Sequence, residues 1–187
     1  MISSKQRYNF CTIFDYSYFA KGLALYYSLT KVCDCHLYVF TPDERCKKAL
    51  QEKQFQNLTI VDFHEVENKE LLEVKSKRDV AEYFWTIKGS CLQFLFSKFN
   101  LEIATYIDAD TFFYSSPEPF FKEMENKSVL ILPHNFSLKY QHEIVNGVYN
   151  AGYISFRNDK DGLSALKWWT DKSIEWCFKK KEKGKFG

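Results

Sequence analysis

Residues 103–117 read IATYIDADTFFYSSP, and we interpret the rest of the chain around this stretch. Its first half is a short apolar run with β-branched and aromatic residues, which predicts a buried strand. The run ends in two carboxylates, Asp108 and Asp110, separated by one small residue. Because side chains repeat every two residues along a strand, we expect both acids to point the same way. Close carboxylates repel each other unless a cation or protons intervene, so the pair predicts a hard divalent cation with oxygen ligands.

The composition around this stretch indicates one compact domain. Of 187 residues, 45% are hydrophobic and 18% aromatic, which is ample for a sizeable core. The formal charge of +2 is close to balanced, so no general affinity for nucleic acid is predicted. The first ten residues lack an apolar leader, and no run approaches the ~20 apolar residues that span a bilayer. We therefore expect a cytoplasmic protein.

The six cysteines are scattered and do not form zinc-like spacings, which predicts reduced and mostly buried thiols. Cys33 and Cys35 could form half a metal site, although a loop with small residues explains them as well.

Apolar runs and amphipathic segments alternate along the chain, which predicts an α/β protein with a parallel, helix-covered sheet. Besides the acid-ended strand, we expect strands at 8–14, 36–40, 58–63, 128–132 and 152–156. We expect helices after Asp15 and at 43–54, 80–99, 120–124 and 161–181. Residues 66–78 form a solvated helix or loop in this interpretation, and 133–150 form a polar loop.

The carboxyl ends of the strands are where such sheets bind ligands. The turn at Asp15 and the pair Asp108 and Asp110 are therefore expected to share one crevice. A diphosphate with its cation suits this crevice, because carboxylates bind phosphates only through a bridging metal. The sequence contains neither GxxxxGK[ST] nor GxGxxG, so a P-loop and a Rossmann dinucleotide site are not supported.

A lone DxD is common by chance and often marks only a solvated strand end, but this one belongs to an ordered set of motifs. The set is FCTIFDYSY at 10–18, YIDADTFFYSSPEPFF at 106–121, YNAGYISFRND at 149–159 and GLSALKWWTDKSIEWC at 162–177. Together these motifs resemble a nucleotide-sugar-dependent glycosyltransferase of the GT-A type, similar to the glycogenin-like and lipopolysaccharide-galactosyltransferase-like retaining enzymes. The resemblance covers most of the chain and implies one domain with a mostly parallel sheet and a Rossmann-like nucleotide-binding half.

The resemblance also implies the ligands of the site. Asp108 and Asp110 would hold Mn²⁺ or Mg²⁺ on the diphosphate of a UDP-sugar. The stretch from Thr12 to Tyr18 would take the nucleotide, with Asp15 at the base edge and Tyr18 stacked on its face. Packing of Tyr18 on the core at a helix entry is the alternative.

Two further groups are implied to contact the donor. Asn150, Ala151 and Gly152 would line the sugar pocket, although Asn150 is also typical of a turn before a strand. Trp85, Thr86 and Lys88 fall where relatives place donor contacts, although a lysine on a long helix is usually solvated.

Two surface features have weaker interpretations. His134 and Asn135 could reach the acceptor or the sugar, or form a surface turn. Lys179, Lys180 and Lys181 could favour an anionic membrane surface, which allows at most peripheral association, or form a solvated helix end.

One departure from the family pattern concerns the end of the sequence. Relatives carry an Asp-Gln pair just after a segment like GKFG and a further metal-binding residue later, whereas this sequence stops at Gly187. We expect a catalytic domain that lacks its C-terminal portion.

The leading hypothesis is sugar transfer to the hydroxyl of a glycan or other acceptor, in cell-surface glycan or polysaccharide synthesis. One alternative is a non-catalytic nucleotide-sugar-binding fragment. The other is a haloacid-dehalogenase-like phosphatase, although those enzymes carry DxDx[TV] on their first strand and this chain has Phe112 instead.

Overall fold

The computed structural model describes residues 7–180 and 182–185. The strands are β1 Tyr8–Ile13, β2 Cys35–Thr41, β3 Leu58–Asp62, β4 Ile103–Ile107, β5 Val129–Pro133 and β6 Tyr149–Arg157. The α-helices are α1 Phe19–Val32, α2 Glu44–Glu52, α3 Lys69–Lys75, α4 Val80–Phe99, α5 Glu118–Glu123 and α6 Lys160–Glu175. Short 3-10 helices cover Tyr16–Tyr18, Phe63–Glu65 and Leu138–Asn146.

The strands form one six-stranded sheet in the order β3-β2-β1-β4-β6-β5. The neighbours from β3 to β4 run parallel, whereas β6 runs antiparallel to both β4 and β5. The predicted class, an α/β protein with a mostly parallel sheet flanked by helices, is confirmed. The strands β1 and β4 are adjacent and parallel, so their carboxyl ends meet at one edge.

Both faces of the sheet are buried, as alternate residues of β1 show. Cys11 and Ile13 belong to a core layer built with α3, α4 and α6, and Phe10 belongs to a second layer built with α1, α2 and α5. Burial on both faces is typical of parallel strands and explains why they appear as continuous apolar runs in the sequence.

The bounds of α4 agree with the prediction of a helix over 80–99 because both ends are fixed locally. The carboxylate of Asp79 accepts from the backbone N–H of Glu82 at 2.9 Å, and Glu82 accepts from the backbone N–H of Asp79 at 3.0 Å. This capping box satisfies two backbone donors at the helix start. At the other end Asn100 has a left-handed backbone with φ 47°, which stops the helix.

The last helix is shorter than predicted. α6 ends at Glu175, not at residue 181, because Trp176 has an extended backbone and the following residues fold back onto α4. The backbone N–H of Lys179 donates to Glu82 at 2.9 Å, and its ammonium pairs with Asp79 at 2.6 Å. Lys181, part of the predicted helix end, lies outside the described residues.

The predicted polar loop at 133–150 contains the 3-10 helix Leu138–Asn146, and β6 begins at Tyr149, three residues earlier than expected. Pairing with β5 extends the strand, since Pro133 lies opposite Tyr149 and Leu132 opposite Asn150. Asn150, Ala151 and Gly152 are consequently strand residues, and Oδ1 of Asn150 also accepts from the backbone N–H of Gly152 at 2.6 Å, the hydrogen bond of an Asx turn.

The predicted free thiols are confirmed: all six cysteines are unpaired, and four of them are buried. Burial raises the pKa of Cys46 to about 11. In the described part of the chain, no helix combines the length and apolar character needed to cross a membrane.

Candidate active site

A cavity of about 330 Å³ opens at the edge where β1 and β4 end. This volume is within the usual range for small-molecule sites. Asp15, which follows β1, and Asp108 and Asp110, which follow β4, all line it. The three carboxylates therefore share one crevice, as the parallel strand ends predicted.

The rest of the cavity wall is largely apolar and aromatic. The N-terminal half of α4 contributes Trp85 and Lys88, and Tyr18 precedes α1. Tyr18 is 42% exposed and Trp85 41% exposed, so part of each side chain is accessible from the cavity. A planar base can stack on such rings, and the carboxylates provide the polar end of the same cavity.

The two acids reach this cavity through a turn and not through strand alternation. β4 ends at Ile107, and the backbone N–H of Thr111 donates to the carbonyl of Asp108 at 3.0 Å. Asp108 then pairs with Lys88 of α4 at 2.8 Å, whereas Asp110 lies 3.6 Å from Lys21 of α1. Both acids thus line one cavity as expected, but they lie beyond β4, so a turn and not the strand period brings them there, and they pair with helices of different layers.

Two donors converge on one oxygen of Asp108. Lys88 donates to Oδ1 at 2.8 Å, and the hydroxyl of Tyr106 donates to the same atom at 2.9 Å. Burial, followed by the charge and hydrogen bond of Asp108, raises the pKa of Tyr106 well above its ordinary value. Tyr106 therefore stays a neutral phenol and keeps its donor.

The residues 150–152 surround Asp108 from the side of β6. The backbone N–H of Asp108 donates to the carbonyl of Gly152 at 2.9 Å, and Lys88 donates to the carbonyl of Ala151 at 3.3 Å. A Cβ placed on Gly152 would lie 2.6 Å from Oδ2 of Asp108 and 2.8 Å from Oδ1 of Asn150. Only glycine permits this close approach.

The Asp15 turn is held by its own hydrogen bonds. Oδ1 of Asp15 accepts from the backbone N–H of Ser17 at 2.9 Å and from its hydroxyl at 2.5 Å. The carboxylate thus caps the 3-10 helix Tyr16–Tyr18. One turn later, the ammonium of Lys21 lies 4.0 Å from the ring centre of Tyr18.

Comparison with known proteins supports the architecture. No protein-family model matches the chain. The chain is 35% identical over 187 residues to the uncharacterized protein YfnF of Bacillus subtilis (strain 168). This match covers 95% of the chain and 62% of the relative. The chain thus spans about three-fifths of that relative's length.

Among solved structures, the galactosyltransferase LgtC in complex with donor and acceptor sugar analogs matches with a TM-score of 0.58 at 14% identity, over 89% of this chain and 61% of LgtC. The chain has a GT-A fold. Core-mannan synthase A of Aspergillus fumigatus, in a Mn/GDP form, matches with a TM-score of 0.53 at 7% identity, over 96% of this chain and 68% of the synthase. Within the GT-A fold, Asp108 and Asp110 follow the fourth strand, which contradicts the phosphatase alternative with its motif on the first.

The GT-A fold does not bring every predicted residue to the cavity. Thr12 and Thr86 are fully buried and are not part of its lining. The hydroxyl of Thr86 donates to the carbonyl of Glu82 at 2.7 Å and accepts from Arg78, so its contacts lie within the protein. His134 and Asn135 follow β5 outside the cavity lining, and the His134 ring stacks on Phe136 at 4.6 Å.

Sequence reasoning missed two residues of the site. Tyr106 precedes Asp108 by two positions, so the strand period alone could have placed it on the same side. Lys21 follows Tyr18 by three positions, which places both on one helical face, but no local signal links it to Asp110. The buried position of Lys88, 5% exposed, also contradicts its interpretation as a solvated lysine.

A divalent cation fits the carboxylates in part. Oδ2 of Asp108 has no hydrogen-bond partner among the described residues, and Asp110 is half-exposed with a long ion pair. Over residues 7–180 and 182–185 no cluster of three or more His, Cys, Asp or Glu side chains suits a metal. Asp108 and Asp110 therefore offer two oxygen ligands, and a diphosphate and water are the kinds of ligand that complete such a site.

Proposed function

We propose that the chain transfers a sugar from a nucleoside diphosphate donor, a UDP-sugar, to an acceptor hydroxyl in cell-surface glycan or polysaccharide synthesis. The observation that carries the proposal is the shared cavity, in which aromatic rings and the carboxylates Asp108 and Asp110 lie at the carboxyl ends of adjacent parallel strands. The donor and acceptor sugar analogs of LgtC and the Mn/GDP form of the mannan synthase support this assignment.

Each part of the donor has a matching part of the site in this proposal, although residues 150–152 lie next to the cavity and outside its lining. Tyr18 and Trp85 stack on or flank the base, and Asp15 accepts from its edge. Asp108 and Asp110 hold Mn²⁺ or Mg²⁺, which when bound acts as a Lewis acid on the departing diphosphate. Asn150, Ala151 and Gly152 lie next to Asp108 and are assigned to the sugar.

The protein then contributes mainly by positioning. The bond between the anomeric carbon and the diphosphate breaks with its electron pair on the departing diphosphate oxygen, a bond to the acceptor oxygen forms, and the acceptor hydroxyl proton passes to the departing diphosphate. Fixing donor and acceptor in this arrangement removes much of the entropic cost of the reaction. The buried pair of Lys88 with Asp108 suits this purpose because it fixes one carboxylate before the donor arrives.

The test is the metal dependence of UDP binding, measured by calorimetry. UDP should bind more tightly with Mn²⁺ than with EDTA. In the presence of Mn²⁺, Asp110→Asn should bind UDP more than about 10-fold more weakly than the wild type. Asp171→Asn, on the exposed face of α6 and paired with Lys167, is the matched control and should bind as the wild type does.

Equal UDP affinity with Mn²⁺ and with EDTA would refute the metal-bridged donor. Release of free sugar or transfer to an added acceptor, measured with several UDP-sugars, then separates an enzyme from a protein that only binds the donor.

A further inference from the structure

Lys88 is an unusual lysine because its charge is buried beside a proposed metal ligand. Its side chain is 6% exposed, while that of Asp108 is 41% exposed. Its ammonium donates to Oδ1 of Asp108 and to the carbonyl of Ala151, and lies 4.5 Å from the ring centre of Tyr106. These contacts fix the ammonium on the protein side of the carboxylate.

Lys88 and Lys21 also change the net charge around a cation that binds to Asp108 and Asp110. Asp108 and Asp110 carry two negative charges. The ammonium of Lys88 lies 2.8 Å from the carboxylate of Asp108, and that of Lys21 lies 3.6 Å from the carboxylate of Asp110. A free divalent cation at these two acids is therefore repelled by two ammonium groups, and the third carboxylate of the cavity, Asp15, carries the remaining negative charge. Because Lys88 is buried, its repulsion is screened less by water than that of the half-exposed Lys21.

We propose that Lys88 is a positioning residue that acts as a fixed counter-ion, weakening the site for free divalent cations and making their binding depend on the diphosphate. This inference rests on the proposed function. A diphosphate adds negative charge that offsets both the cation and the ammonium of Lys88, so the cation is held more tightly when the diphosphate is present. Cation and nucleotide then strengthen each other's binding reciprocally.

The contacts of Asp108 distinguish its two carboxylate oxygens. Oδ1 is committed to Lys88 and Tyr106, whereas Oδ2, which lies beside Gly152 and near the amide oxygen of Asn150, has no hydrogen-bond partner among the described residues. Lys88 thus fixes Asp108 with a single oxygen available as a ligand.

The experiment measures free Mn²⁺ binding without nucleotide, by electron paramagnetic resonance, in the wild type and in three variants. Lys88→Met should bind free Mn²⁺ roughly tenfold or more tightly, because a buried positive charge is removed. Lys88→Arg keeps the charge and should remain as weak as the wild type. Lys98→Met is the matched control on the same helix, since Lys98 is exposed and pairs with Glu65.

A second measurement tests the dependence on the diphosphate. The ratio of Mn²⁺ affinities with and without UDP should fall in Lys88→Met and stay unchanged in Lys98→Met. If folded Lys88→Met binds free Mn²⁺ no more tightly than the wild type, the inference is wrong. Should Lys88→Met fail to fold, Lys88→Gln decides instead, because its amide keeps a donor near Asp108 and removes the charge: tighter binding of free Mn²⁺ supports the inference, and unchanged binding overturns it.

The two proposals fail separately. If the wild type does not bind UDP with Mn²⁺, the proposed function is refuted, while the comparison of free Mn²⁺ between variants still decides the role of Lys88.

Discussion

The replacement Gly152→Ala tests the centre of the proposed site with a single methyl group. The new Cβ would lie 2.6 Å from Oδ2 of Asp108, whereas favourable contacts of carbon atoms begin at about 3.5 Å. Asp108 must therefore move by about 1 Å or rotate. Such a shift breaks its bond from Lys88, now 2.8 Å long.

The magnitude follows from that displacement. Disturbing the contacts that orient a metal ligand typically costs about 10- to 100-fold in metal affinity, so Mn²⁺-dependent UDP affinity should fall by roughly that factor. The stability loss should be about 1.5 kcal/mol, the low end for a hydrogen bond to a charged group, since the two atoms that the Cβ meets are ends of side chains that can give way.

The assay combines calorimetry of UDP with urea unfolding. Gly162→Ala is the matched control, because its Cβ would overlap the backbone carbonyl of Arg157, away from the cavity lining. This control should lose more stability, about 3 kcal/mol, and keep its UDP affinity while folded. Unchanged UDP affinity in Gly152→Ala would show that the position of Asp108 does not matter for the donor.

Three further outcomes are expected. Tyr18→Ala should weaken UDP by ~1–3 kcal/mol with an unchanged circular dichroism spectrum, and unaltered affinity would place the base elsewhere. Gly89→Ala should destabilise the protein by about 1–3 kcal/mol, because its Cβ would overlap Thr170 where α4 packs on α6, and an unchanged urea midpoint would contradict this packing. The hydrogen bond from Lys179, then that from the backbone N–H of Glu82, lowers the pKa of Asp79 below its ordinary 3.8, so its charge stabilises the fold above that pH and the effect is lost as the pH falls through the lower folded value. The stability advantage of the wild type over Asp79→Asn in urea should therefore shrink below pH 3.8, and a pH-independent difference would show that the charge has no role.

Local signals explain why much of the fold could be predicted. The helix predicted over 80–99 is observed with the same bounds because Asp79 and Glu82 form a capping box and Asn100 ends the helix, all within the same segment. The acid-ended strand and the turn at Asp15 share a cavity because parallel strands present their carboxyl ends together. In both cases the determining interaction spans few residues or follows from the strand pattern itself.

The α/β class, the edge of the sheet with the candidate site and the two acids proposed for it could therefore be predicted from local patterns. Long-range contacts were needed to show that β6 runs antiparallel, that the chain after Glu175 folds back onto α4, and that Lys88 is buried against Asp108. Such contacts also show that Asp110 turns towards Lys21 of another layer. These features depend on contacts between residues distant in the chain, which local periodicity and propensity do not encode.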